Sequence, residues 1–210
     1  MYKDPALCNR AFAETNAVVH MMHQVAAGKL AKSEFAVGLL CAMARATGKD
    51  KDMGVKVQIA EAMWIAESVR AFLYSAEHQA EPDQWGNYVP LRRPLDTSRN
   101  LFLRRYPRLV ELVQLLGSSS LMATPSEADF SNDLAGDVER YFQVENLNSL
   151  DRVALFRLAH DFSVSGFSGR QTLYERFFFG PQNILASVYF DLYDKDEMIG
   201  RVEDLLNATD

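Results

Sequence analysis

Cysteine is scarce in this chain: Cys8 and Cys41 are the two among 210 residues. They are too few for a disulfide framework and do not stand at a metal-ligand spacing. They read as buried or free thiols of a reducing compartment. No apolar run approaches the roughly 18 residues of a membrane span. The opening MYKDPALCNRAFAE lacks the apolar core and cleavage pattern of a leader, so the chain reads as cytoplasmic. Basic charge is also in deficit. The net charge of −6, with both signs mixed along the chain, argues against a general nucleic-acid binder. Internal repeats, low-complexity tracts and a convincing β-hairpin pair are missing as well.

Several chemical signatures are absent. None of Glu14, Glu34, Glu61, Glu67 or Glu77 has a histidine three residues on, as a di-iron bundle would require. There is no His-Glu-x-x-His, Cys-x-x-Cys or P-loop, so no metal site is expected. His20 and His23 share a helix face, which suits a metal or proton-transfer pair and, better, a polar helix–helix or subunit contact. Gly166-Phe167-Ser168-Gly169 is not a dinucleotide fingerprint, and no strand precedes it.

What is present is helical periodicity. Hydrophobic residues make up 48% of the chain and charged residues 24%, ordinary for a globular protein. Apolar positions recur at helical spacing over 9–47, with Gly48 as a stop. A second long helix is expected over 52–81, closed by Pro82. Residues 82–97 read as a loop, and Thr97 or Ser98 as the cap of a helix over 98–116 that Gly117 closes. Residues 117–133 read as a second loop, followed by helices over 134–142 and 149–162. After a small-residue turn the helix should resume through Phe179, with Pro181 opening a segment to 193. Asp194 or Asp196 should cap a last amphipathic helix with Met198, Val202 and Leu205 facing inward. The fold expected is all-α, an antiparallel helical bundle with long first helices, forming a single domain over 1–210.

Three segments are candidates for binding. The turn from Ser163 to Gly169 interrupts a helix with small residues, so backbone can approach a flat ligand or another subunit closely. Gly117-Ser118-Ser119-Ser120 reads as a helix end whose amides and hydroxyls could also meet a phosphate or a flavin edge. The run Phe177-Phe178-Phe179 reads chiefly as core, but three consecutive rings cannot share one helix face. At least one should point elsewhere, toward an oligomer interface.

Short patches in order along nearly the whole chain resemble the flavin-dependent 4-hydroxyphenylacetate 3-monooxygenase family, oxygenase component. They include Tyr2-Lys3-Asp4-Pro5-Ala6, the stretch from Thr15 to Gln24, Lys32-Ser33-Glu34-Phe35, Arg104-Arg105-Tyr106-Pro107 and Gly117-Ser118. They continue through Pro125–Phe130, Asp137–Phe142, Arg152–Leu158 and Phe167–Phe177. The resemblance implies the acyl-CoA-dehydrogenase-like architecture, of which this chain looks like the carboxyl-terminal helical bundle. It implies reduced FAD supplied by a separate flavin reductase, hydroxylation of a phenol ortho to its hydroxyl, and a homotetramer. It carries Ser165, Gly166, Phe167 and Ser168 onto the family's flavin-contacting segment. The family's phenol-binding Arg, Tyr and His have no counterpart here, so catalytic residues stay unassigned and His20 and His23 do not take that role. Catalysis by this chain alone is therefore in doubt, and an amino-terminal partner chain is expected. The related 4-hydroxybutyryl-CoA dehydratases hold an iron–sulfur cluster, but here no Cys follows His20 or His23 at short spacing. The rival expectation is a non-catalytic helical assembly module that has lost flavin chemistry.

Overall fold

The computed structural model describes residues 2–208. The expected first helix over 9–47 is two helices, α1 (Pro5–Glu14) and α2 (Ala17–Ala46). Asp4 caps α1 by accepting from the Leu7 amide, and Pro5 stands in its first turn. Between the two, Asn16 takes a left-handed backbone (φ 57°), a conformation that asparagine tolerates better than most residues. Asp52 then caps α3 (Met53–His78), whose chain stops before Pro82.

Residues 82–97 are not one loop. Glu81–Pro82 (β1) and Tyr88–Val89 (β2) pair as a minimal antiparallel hairpin. Asp83 closes it by accepting from the Trp85 and Asn87 amides. The next helix, α4 (Arg92–Gly117), begins six residues before the expected 98. Pro94 falls in its first turn, where a missing amide costs nothing. Thr97 and Ser98 are thus interior, not caps. Pro107 lies within α4. Residues 118–121 and 127–130 form short 3-10 turns, and Ser126 and Asp129 cap each other's backbone in the second.

The remaining helices are α5 (Ala135–Phe142), α6 (Ser149–Ser163), α7 (Gly166–Phe177), α8 (Gln182–Leu192) and α9 (Asp196–Asn207). Pro181 precedes α8 in the cap position, and Lys195 occupies the cap of α9. Among the described residues no helix is long and apolar enough to cross a membrane.

Helices α2, α3 and α4 pack pairwise as an antiparallel bundle, and α6, α7 and α8 lean on α4. The main core joins Leu40 and Met43, Ile59 and Ala62, Phe102, Tyr106, Leu109 and Val113, and Phe156. A smaller cluster of Val19, Met22, Ala26, Ala76 and Leu95 lies nearer the hairpin. Expected inward positions fail chiefly at the carboxyl end. Met198, Val202 and Leu205 are exposed, and no residue of α9 is buried. The reason is that, among the described residues, no other element packs extensively on this helix, which follows α8 after three residues.

Candidate functional site

The small-residue turn forms because α6 and α7 cannot join without a break. The Val164 and Ser165 amides both donate to the His160 carbonyl, which ends α6. The Ser165 hydroxyl then serves both helices. It donates to the Asp161 carbonyl (2.9 Å) and accepts from the Ser168 amide (3.3 Å) as the cap of α7. Gln114 of α4 donates to the Ser163 carbonyl (2.6 Å), fixing the turn to the bundle.

The four expected site residues divide in their roles. Ser168 is buried and Ser165 half-buried, so both hold the turn together. Gly166 and Phe167 are exposed. A side chain placed on Gly166 would meet nothing within 4 Å. The amides of Gly166 and Phe167 lie in the first turn of α7, and no acceptor among the described residues takes either. The Arg170 guanidinium stands 5.9 Å from the Phe167 ring centre. Two unclaimed amides, an exposed ring and open space over a glycine are features that could hold the acceptor-bearing edge of a flat ring system such as a flavin. The turn is one open wall, not an enclosure.

Further along α7 lies a polar cluster that sequence reasoning missed. Glu175 of α7 is buried and accepts from Lys32 of α2 and from Gln171 (3.0 Å). Lys29, one turn before Lys32, is 4% exposed, and its ammonium lies 4.9 Å from the Phe102 ring centre and 5.8 Å from that of Phe179. Burial pulls the Lys29 ammonium down to about 8, against the opposing pull of Glu175. Burial likewise pushes the Tyr106 phenol up to about 12, with the Glu175 charge adding to it. Arg99 pairs with Asp96 (2.5 Å) and stacks 5.2 Å from Phe179, and its burial lowers its proton affinity. Its Nε and the Ser98 hydroxyl are buried without a partner among the described residues. A sequence signal existed: Lys29 sits in the stripe Met22, Ala26, Ser33, Ala36, Leu40 and Met43, all buried. Of the three phenylalanines, Phe179 turns inward to this cluster while Phe177 and Phe178 stay exposed.

The other candidates lie apart. His23 meets Glu77 of α3 (2.8 Å), a helix–helix contact, and His20 is exposed. The Gly117–Ser120 segment borders a cavity of about 220 Å³ with Arg152 and Tyr141. Gly117 is required there, because a Cβ would stand 2.5 Å from Leu121 Cγ. Ser118 is held at φ 47° and ψ −138°, a strained backbone for a residue with a side chain.

The sequence matches the family described as HpaB, 4-hydroxyphenylacetate 3-hydroxylase C terminal, over residues 8–207. The chain belongs to the 4-hydroxyphenylacetate 3-hydroxylase family. It is 45% identical over 192 residues to the 4-hydroxyphenylacetate 3-monooxygenase oxygenase component of Geobacillus sp. (strain PA-9), covering 91% of this chain and 39% of that one. Its match to the oxygenase component of that name from Thermus thermophilus is 42% over 203 residues, covering 97% and 42%. The chain thus spans about two fifths of these hydroxylase relatives. The fold superposes on a crystal structure of the oxygenase component HpaB complexed with FAD at a TM-score of 0.92. That match is 41% identical and covers 98% of this chain and 44% of the other. An archaeal 4-hydroxybutyryl-CoA dehydratase shares the fold at 16% identity and a TM-score of 0.75, over 86% of this chain and 36% of that one.

Proposed function

We propose that this chain is the flavin-contacting, self-associating carboxyl-terminal portion of a two-component FADH2-dependent phenol ortho-hydroxylase, a single helical domain over 1–210. The observation that supports this most is the pair of unclaimed amides at Gly166 and Phe167, on a fold that superposes on a relative solved with FAD. Bound reduced FAD would supply the oxygen activation that hydroxylation needs. This chain's part is to present the Gly166 and Phe167 amides to the ring edge, to cover one face with Phe167, and to keep water from that side. Ser165 and Ser168 hold the turn in shape. Substrate-binding residues would come from an amino-terminal partner region and reduced flavin from a separate reductase, so the chain is not catalytic alone. The same reading has it cytoplasmic and a homotetramer. The rival reading, an assembly module without flavin chemistry, draws on the exposure of Gly166 and Phe167, which leaves the turn a single wall.

The deciding experiment is a titration of the full chain with oxidised and, anaerobically, reduced FAD. Saturable binding is expected, weakened about tenfold or more in Gly166→Trp with helicity unchanged, because the added ring fills space that is open in the fold. Stable oligomers that bind neither form of FAD would select the assembly module.

A further inference from the structure

A buried hydroxyl of α4 has nothing to bond. Ser33, Ser68 and Ser163 each turn back to the carbonyl four residues earlier, at 2.9, 2.6 and 2.6 Å. Ser98 is 1% exposed and makes no such bond, and its hydroxyl has no partner among the described residues. A hydroxyl left unpaired away from water carries its full desolvation cost, so a group that meets it recovers more than it would on an open surface.

Ser98 lines a groove of about 170 Å³ between α3 and α4. On the α4 side Ser98, Leu101 and Arg105 follow at helical spacing, two turns or about 10 Å from end to end. On the α3 side Trp64, Ile65 and Phe72 face them. The middle of the groove is therefore aromatic and aliphatic, with Trp64, 65% exposed, at its lip.

The two ends of the groove are polar in different ways. Arg108 donates to both Glu61 oxygens (2.9 and 2.8 Å), so Glu61 and Arg105 share one end and Ser98 lies toward the other. That pairing also neutralises Glu61. Arg105 is exposed and makes no hydrogen bond or ion pair among the described residues. The groove thus offers an unclaimed cation, then ring walls, then an unclaimed hydroxyl.

We propose that this groove binds a single-ring aromatic carboxylate with a hydrogen-bonding group opposite the carboxylate. The ring lies against Trp64, Ile65 and Leu101, the carboxylate meets Arg105, and the opposite group meets Ser98. No residue of the 165–168 turn takes part, so this site is separate from the flavin wall and does not depend on it.

The test uses the full chain with 4-hydroxybenzoate as the probe, its bound fraction read by equilibrium dialysis. Two related probes each lack one group: 4-hydroxybenzamide has no charge, and benzoate has no hydroxyl. Saturable binding of 4-hydroxybenzoate is expected, with a dissociation constant of about 1 mM or below. Arg105→Ala should weaken 4-hydroxybenzoate about fivefold or more and leave 4-hydroxybenzamide within about twofold. Ser98→Ala should weaken 4-hydroxybenzoate about threefold or more and leave benzoate within about twofold. A misfolded bundle would lose every probe alike, so each variant carries its own control. In a Trp85→Phe chain, Trp64 emission should change over the same concentrations. A wild type that takes up no 4-hydroxybenzoate at about 10 mM would overturn the site. So would variants that weaken all three probes equally or none of them. Trp64 emission unmoved at saturation would overturn it too, and is the result expected if water or a second copy fills the groove instead.

Discussion

The Lys32 ammonium donates to the Glu175 carboxylate, joining α2 to α7 across 143 residues of sequence. The pair is lopsided: the Glu175 side chain is 1% exposed and that of Lys32 is 36%. Glu175 stands on the same helix as the Gly166–Phe167 wall, so this ion pair sets how α7 lies against the bundle.

Each partner has a second dependent. Lys32→Met leaves a buried carboxylate with Gln171 as its remaining donor, whereas Glu175→Gln leaves Lys32 within reach of water but removes the charge that opposes the burial of Lys29. Each substitution is expected to cost about 2–4 kcal/mol, read from urea midpoints at constant slope, and Glu175→Gln about 1–2 kcal/mol less in a Lys29→Met background, where no buried ammonium is left behind. A cost of Glu175→Gln unchanged by Lys29→Met would mean that the carboxylate serves Lys32 alone.

Lys29 should leave a signature in alkaline solution. It holds its proton in the unfolded chain up to its ordinary 10.5 and loses it near 8 when folded. Between those values the unfolded chain binds more protons, so folding stability rises with pH across the window. Below pH 8 the buried charge is a standing cost. Lys29→Met removes it, raising stability at pH 7 by up to about 3 kcal/mol and abolishing the rise between pH 8 and 10.5 relative to wild type. Thermal melts at pH 7, 9 and 10 compare the two, and parallel curves would refute the buried-charge account.

Gly117 and Leu121 should be coupled. Gly117→Ala forces a methyl against the buried Leu121 side chain and is expected to destabilise by about 1–3 kcal/mol. In Leu121→Ala the obstruction is gone, so adding Gly117→Ala should cost less than about 0.5 kcal/mol more. A double-mutant cycle with no coupling would place the glycine's role in the backbone instead.

Periodicity made the helices legible. The expected span 149–162 differs from α6 by one residue, and the stops at Gly48 and Gly117 were readable from residue type. Helix breaks were harder. Asn16 separates α1 from α2 by adopting a left-handed backbone, which apolar spacing does not register. Proline misled in the other direction: Pro94 suggested loop, yet a first turn accepts it. The inward face of α9 was misread because amphipathic spacing says that a helix has an apolar side, not that this chain covers it. At the candidate site, the small residues expected to form a turn over 163–169 mark a break that the structure narrows to Val164 and Ser165, with Gly166 already opening α7. The Lys32–Glu175 pair joins residues too far apart for any local pattern to connect.

Pro107 gives α4 a seam. It has no amide to offer the Leu103 carbonyl, so the ladder of α4 is interrupted between its two halves. The half before the seam meets α8, where Tyr189 bonds Thr97, and the half after it grips the α6–α7 turn through Gln114. Amide protons on the two sides can therefore exchange with solvent through separate openings. The end that steadies the Ser165 turn can stay closed while the hairpin end breathes.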